Sequence, residues 1–390
     1  MTAEQVSTGV TAPQGFAAAG IRAGIKANGN PDLALVHNLG PAYASAAVFT
    51  SNRIQAAPVQ WSRTVDVGAF RAVVLNSGGA NACTGTEGYA DARRMAMLTA
   101  EALHCDPTDV AVCSTGLIGV RLPMAALESG IPAAAAALGE TGGAEAATAI
   151  MTTDTVSKQS VARHADGWTI GGMAKGAGML APGLATMLVV LTTDAAVDSA
   201  TLDAALRDAT RVTFDRVDSD GCMSTNDTVL LLANGASGVT PDTTAFTEAL
   251  TTVCHDLAQQ LLTDAEGASH DITVEVVHAA TEEDAVTVGR SITASNLFKC
   301  AIFGQDPNWG RVLSALGTTA AAYDPDEVDV SFNGVMVCRG GAIGEDRALV
   351  DLGPREVTVL VDLHAGDHTA TVWTNDLTYD YVKENAEYSS

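Results

Sequence analysis

The segment Lys175-Gly-Ala-Gly-Met-Leu-Ala-Pro-Gly-Leu-Ala-Thr-Met-Leu188 constrains this chain of 390 residues more than any other. Glycines at 176, 178 and 183 and a proline at 182 disfavour regular structure, whereas Met187–Leu191 is a continuous apolar run of strand type. The chain must turn and then enter a buried strand. At the join stands Ala185–Thr186, a small residue followed by a hydroxyl residue. Two readings are open: an ordinary loop entering a strand, or a place where the chain cuts itself and leaves Thr186 as a new N-terminus.

Apolar runs predict further strands at Asp32–Val36, Ala46–Phe49, Arg71–Leu75, Val110–Cys113, Thr228–Leu232, Ile272–Val277 and Val328–Phe332. Two more, Val357–Leu363 and Thr369–Trp373, are expected to pair with each other across Ala365-Gly-Asp. Helical spacing marks Tyr89–Leu103, Met124–Leu138, Ala144–Met151, Ser199–Phe214, Phe246–Asp264 and Glu282–Phe298. Lys175 is expected in a flexible turn, and Thr378–Ser390 reads as a polar tail. Strands and helices mix without regular alternation, which predicts an α+β fold, a layered α/β sandwich with a second, smaller lobe.

A formal charge of −25 repels a phosphate backbone or an acidic membrane and attracts a cationic small molecule; plain solubility explains it equally well. Seven scattered cysteines with no Cys-x-x-Cys pair, and an N-terminus without a signal peptide, lead us to expect a reduced cytoplasmic setting. No apolar run approaches the roughly 18 residues of a membrane span.

No metal site is expected. His364 and His368 fall in a strand and turn, and the remaining histidines stand far in sequence from any cysteine or acidic cluster of ligand spacing. Gly171–Gly178 is glycine-rich but has neither the Walker order nor a GxGxxG opening a helix. There is no Gly-x-Ser-x-Gly elbow and no motif for a catalytic cysteine.

An N-terminal nucleophile remains. A threonine hydroxyl is weak at its own pKa and needs a base. If the Ala185–Thr186 bond breaks, Thr186 gains an α-amine with a reference pKa of about 7.7–8.0, partly neutral near pH 7 and able to accept the hydroxyl proton. The same hydroxyl can cleave the bond by attack on the preceding carbonyl, an N-to-O acyl shift and hydrolysis of the ester. From the residues alone, the structural strand start stays open beside it.

Several motifs in order carry a resemblance. They are Asn76-Ser-Gly-Gly-Ala-Asn-Ala-Cys-Thr-Gly85, Ser114-Thr-Gly-Leu-Ile-Gly119, Ile150-Met-Thr-Thr-Asp-Thr155, Lys175-Gly-x-Gly-Met and Ala185-Thr-Met-Leu188. Asp264-Ala-Glu-Gly267, Phe303-Gly-Gln-Asp-Pro-Asn-Trp-Gly-Arg311 and Glu384-Asn-Ala-Glu-Tyr-Ser-Ser390 follow. Each is weak singly; together and in order they are specific. Nearly end to end, the chain resembles the ornithine acetyltransferase family, the self-cleaving glutamate N-acetyltransferases of arginine biosynthesis.

The resemblance implies a DmpA/ornithine-acetyltransferase-like fold and cleavage into an α chain, 1–185, and a β chain, 186–390. The fragments would stay associated as a heterotetramer of two pairs. Thr186 would take acetyl from N-acetylornithine, release ornithine and pass the acetyl to glutamate in a ping-pong cycle without metal or prosthetic group; in some members acetyl-CoA also donates. Thr115 and Gly116 match the oxyanion positions. Thr152, Lys175, Glu266, Asn385 and Ser390 match substrate contacts, and Ala185–Thr186 is the cleavage site. A paralogous acyl-amino-acid transferase or an amidohydrolase would use the same machinery.

Two positions depart from the family pattern. Gly79 stands where asparagine is frequent, and Ser269-His270 where Thr-Lys is common. Loss of that lysine is expected to bear on substrate preference.

Overall fold

The structure is a computed structural model that describes residues 8–180 and 187–387. It divides into two compact units, and each draws residues from both sides of the 185/186 junction.

The first unit, residues 8–177, 187–215 and 223–261 among those described, carries nine strands. They are β1 (Phe16–Ile21), β2 (Leu33–Asn38), β3 (Ala44–Phe49), β4 (Ala72–Ser77), β5 (Val110–Thr115), β6 (Lys158–Arg163), β7 (Thr169–Lys175), β8 (Leu188–Thr193) and β9 (Thr228–Ala233). Its helices are α1 (Ala57–Thr64), α2 (Gly85–Leu103), α3 (Met124–Ala136), α4 (Gly143–Ala149), α5 (Ser199–Val212) and α6 (Thr243–Thr263), the last continuing to the unit's edge. One sheet has the order β1-β2-β4-β5, the other β3-β9-β8-β7-β6.

Strands β4, β5, β8 and β9 are buried at every position, and in each sheet the two such neighbours run parallel, as expected of strands covered on both faces. Between the sheets, Phe16, Val36, Val73 and Leu75 share one core with Met173, Leu188, Val190 and Leu230. The outer face of the first sheet buries Leu35, Val74 and Val112 against Met95 of α2 and Ile131 of α3. On the outer face of the second, α6 lies so close that a Cβ at Gly172 would sit 3.0 Å from Leu257. Helices, sheet, sheet and helices make the expected layered α/β sandwich.

The second unit contains β10 (Asp271–Ala279), β11 (Asp329–Phe332), β12 (Val335–Arg339), β13 (Ala342–Ile343), β14 (Glu356–Asp362) and β15 (His368–Asn375). With them go α7 (Glu282–Thr293), α8 (Asn296–Phe303), α9 (Trp309–Leu316) and α10 (Tyr379–Glu387). The sheet order is β13-β12-β11-β14-β10-β15. Val274, Val276, Val330, Val359 and Val361 pack on Val288, Ile292, Phe298 and Val312.

Three expectations are corrected here. The last two strands do not pair with each other: β10 lies between them, parallel to β14 and antiparallel to β15. The connecting turn bonds to the end of β10, Ala365 and Gly366 donating to the His278 carbonyl, so it crosses that strand instead of closing a hairpin. The helix read as Glu282–Phe298 is two helices, because the Ser295 hydroxyl caps a new start by accepting the Phe298 N–H. The polar tail is helical as far as Glu387. Strand β1, Ala- and Gly-rich, has weak strand propensity; a Cβ at Gly20 would lie 1.9 Å from the Glu145 carbonyl oxygen, so close packing on α4 selects residues that hide the strand. Among the described residues no helix is long and apolar enough to cross a membrane.

Candidate active site

Thr115 ends β5, buried, and its carbonyl accepts the N–H groups of Gly78 (2.9 Å) and Gly79 (3.0 Å). Gly116 follows with φ +132°, where a Cβ would stand 2.5 Å from the Gly79 nitrogen. Only glycine lets the two loops lie this close. Side-chain amides fix the arrangement: Asn76 donates to the Gly79 carbonyl and accepts from the Ser114 hydroxyl at 2.6 Å. Asn226 Nδ2 donates to the carbonyls of Ala80 (2.6 Å) and Ser114 (2.8 Å). A rigid Thr-Gly pair is what an oxyanion site requires, since its donors must be aimed before charge develops.

Lys175 is not in a flexible turn. It is the last residue of β7, opposite Leu188 of β8, with only 2% of its surface exposed. Its ammonium lies 3.7 Å from Asp154 Oδ2, and Asp154 Oδ1 takes Lys158 Nζ at 2.7 Å and the Gly176 N–H at 2.6 Å. Thr152 donates to Oδ2 through its N–H (2.9 Å) and its hydroxyl (3.5 Å). Burial pushes the Asp154 carboxyl up, but Lys175 and Lys158 outweigh it and hold it below the usual range. Lys26 donates to the Met151 and Pro31 carbonyls; burial lowers its pKa, Asp32 opposes this and Lys175 adds to it. Three lysines therefore converge in a strongly acidic chain, an arrangement that suits a carboxylate ligand.

Ala185 and Thr186 lie outside the described residues, but the peptide after them does not. The Met187 N–H donates to Asp227 Oδ1 at 3.2 Å. Asp227 is completely buried. Burial pushes this carboxyl well above its ordinary pKa against the Met187 N–H, the Ser224 hydroxyl, the Lys175 charge and the Thr50 hydroxyl. Sequence reasoning missed Asp154, Lys158, Asn226 and Asp227. The polar run Ser224-Thr-Asn-Asp227, set directly before an apolar strand, is the signal that points to the last two.

In the second unit Glu266 lines a small polar cavity with Ser219, Asp220, Lys299, Asp376 and Tyr381. A Cβ at Gly178 would press on Glu266 Oε2 at 2.6 Å. Lys299 donates to the Ser219 carbonyl; burial lowers its pKa, opposed by Asp218, Asp220 and Asp376. Burial, Asp220 and Glu266 push the Tyr381 hydroxyl up to about 12. A cavity so rich in carboxylates suits an ammonium group. Asn385 is exposed on α10, bonded to the Tyr381 carbonyl of its own helix (3.1 Å), and does not line this cavity. Ser390 lies outside the described residues.

His270 is buried, Nδ1 2.7 Å from Asp376 Oδ2 and Nε2 3.0 Å from the Leu352 carbonyl. His278 is not far from acids, contrary to its place in the sequence. The β10/β14 register sets Val277 opposite Asp362, so His278 Nδ1 stands 2.8 Å from Asp362 Oδ2 and the two residues cluster with His364, a group able to hold a cation. Each of these imidazoles bonds a carboxylate, His364 through Nε2 to Asp329 at 3.0 Å.

Residues 17–390 match the model of the ArgJ family. The arginine biosynthesis bifunctional protein ArgJ of Streptomyces coelicolor is 66% identical over 98% of this chain and 100% of its own length. That of Thermobifida fusca is 62% identical over the same shares. Among solved structures, an ornithine acetyltransferase complexed with ornithine from Mycobacterium tuberculosis is 56% identical over 46% of this chain and 96% of that chain, with a TM-score of 0.44. With the family model running unbroken from the first strand to the last residue, the chain belongs to the ArgJ family.

Proposed function

We propose that this protein moves acetyl from N2-acetyl-L-ornithine to L-glutamate in arginine biosynthesis, giving L-ornithine and N-acetyl-L-glutamate. The observation that carries the reading is the continuity of the family match through the Ala185–Thr186 junction, over 98% of the chain and the whole of a relative. The chain cleaves itself there into 1–185 and 186–390, and the two pairs of fragments form a heterotetramer. Thr186 Oγ1 attacks the acetyl carbonyl, its α-amine takes the hydroxyl proton, and the collapsing intermediate expels ornithine with that proton. The glutamate amine then attacks the acetyl-Thr186 ester and regenerates the hydroxyl. Acetyl-CoA is a second donor to the same threonine.

Thr115 Oγ1 and the Gly116 N–H stabilise the oxyanion, supported by the pinned loop in which they stand. Lys175 binds the α-carboxylate and Thr152 stands beside it. Glu266 takes the side-chain ammonium of ornithine, and Asn385 and Ser390 are further substrate contacts.

Purified protein should run as two fragments meeting at Thr186, Thr186→Ala should remain whole and inactive, and Thr186→Ser should retain some processing. Incubation of N-acetylornithine with and without glutamate separates transfer from hydrolysis. Ornithine should appear with N-acetylglutamate only when glutamate is present; equal ornithine release in both reactions rejects transfer.

A further inference from the structure

Two histidines and two aspartates converge at one end of the second unit's sheet, and none of them lines the Glu266 cavity. The β11/β14 register sets Asp329 directly opposite Asp362, and like charges in that position are destabilising. On the other side of β14, the parallel strand β10 sets Val277 opposite Asp362, so His278 follows at the same end. His364 returns to it from the turn after β14, where Ala365 and Gly366 donate to the His278 carbonyl.

Each oxygen of Asp362 faces one imidazole. Oδ2 stands 2.8 Å from His278 Nδ1, and Oδ1 stands 3.5 Å from His364 Nδ1. One ligand atom from each of the three residues lies within 4.8 Å of the other two. Around a tetrahedral ion with bonds of about 2.0–2.1 Å, ligand atoms stand roughly 3.3 Å apart, so little movement admits one. The other nitrogen of His364, Nε2, lies 3.0 Å from Asp329 Oδ2, and Asp329 Oδ1 accepts the Gly340 N–H at 2.7 Å. Metal-binding histidines almost always give their second N–H to a carboxylate, carbonyl or water, which fixes the tautomer and turns the other lone pair toward the ion.

The backbone is also unusual at both histidines. His278 has φ +51° and His364 has φ +47°, the left-handed region that glycine enters without strain. His278 sits in the register shift that interrupts the β10/β15 pairing between Val276 and Ala279, and a bulge of this kind re-aims a side chain. At both positions a residue able to ligate stands where glycine would relieve the backbone.

We propose that His278, Asp362 and His364 bind a divalent transition-metal ion of the Zn²⁺ type, with Asp329 as the outer carboxylate that orients His364. Two imidazoles and one carboxylate favour such an ion over Mg²⁺ or Ca²⁺, which take oxygen ligands. Side-chain exposures of 56% at His278 and 43% at His364 leave the ion a solvent-facing fourth position. The bound ion fastens β10 to the turn after β14 and offsets the opposed aspartates.

Untagged protein, stripped with a chelator, is titrated by calorimetry with Zn²⁺ alone and with Mg²⁺ alone, and its Tm is followed with and without Zn²⁺. One Zn²⁺ per chain with a micromolar or tighter Kd is expected, together with a raised Tm and no matching uptake of Mg²⁺. His278→Asn and His364→Asn each remove a ligand with a residue that tolerates the left-handed backbone. Each should weaken Zn²⁺ binding at least about a hundredfold and abolish the rise in Tm, whereas Asp329→Asn should weaken it by about 10–100-fold, as loss of an outer partner does. Zn²⁺ uptake that never saturates, or that keeps wild-type affinity in either histidine variant, overturns the proposal. Equal affinity for Mg²⁺ overturns it too, since that marks a general acidic surface. Should one histidine variant not fold, the other decides.

Discussion

Lys175 and Asp154 form a buried ion pair, Nζ to Oδ2 3.7 Å, while the other oxygen of the same carboxylate holds Lys158 at 2.7 Å. One acid thus neutralises part of two interior ammonium charges and also receives the Gly176 N–H. Asp154→Asn removes the charge and leaves both lysines buried. Breaking a buried pair from one side typically costs about 3–5 kcal/mol, and urea unfolding at pH 7 should show a loss of that order. The folded pKa of Asp154 lies below its unfolded value, so its stabilisation is complete above the unfolded value of about 3.9 and declines as pH falls toward the folded one. The gap between wild type and variant should therefore narrow from pH 5 to pH 3. A constant gap would place the effect in packing.

Legibility in the sequence followed locality. Strand β8 was visible because five apolar residues run together, and the Thr115–Gly116 loop because it follows a buried strand. Strand β7 was hidden: Thr-Ile-Gly-Gly-Met-Ala-Lys has the composition of a turn, and its glycines answer to the Gly9 carbonyl against Gly171 and to α6 above Gly172, which no local pattern reveals. Lys175 was misplaced with it. Asp154, Asn226 and Asp227 each have a partner 21 to 146 residues away that no local pattern reveals, so their role is largely tertiary. The strand pairing failed in the same way, since proximity favours a hairpin while the nonlocal β10 register decides the sheet.

Lys175 can be separated from its structural setting because Lys158 remains with Asp154 when it is removed. Lys175→Met conserves length and apolar stem while deleting the charge. The variant should stay folded, with a Tm within a few degrees of wild type. If Lys175 binds the substrate carboxylate, KM for N-acetylornithine and for glutamate should each rise at least about tenfold, equivalent to about 1.4 kcal/mol of charge-assisted binding. An unchanged KM with a lowered kcat would remove Lys175 from carboxylate binding and assign it to the chemical step.

His270 was read from the sequence as a departure from the family pattern, and the structure gives it a local task. Its ring bridges Asp376 (2.7 Å) and the Leu352 carbonyl (3.0 Å), and Asp376 also receives the N–H groups of Ser269 and His270 at 2.9 Å each and the Ser269 hydroxyl. Asp376 lines the cavity beside Glu266, whereas His270 does not. The imidazole therefore orders a cavity wall from behind. His270→Ala strips a buried carboxylate of one donor and leaves the Leu352 carbonyl without its partner. A loss of about 1–3 kcal/mol in urea unfolding is expected. Donor selectivity, read as the ratio of kcat/KM for N-acetylornithine to that for its one-carbon-longer lysine analogue, should stay within about twofold. His270→Lys should recover part of the stability, because an ammonium can again reach Asp376. A large change in the ratio with unchanged stability would assign His270 to substrate choice instead, as its departure from the family pattern suggested.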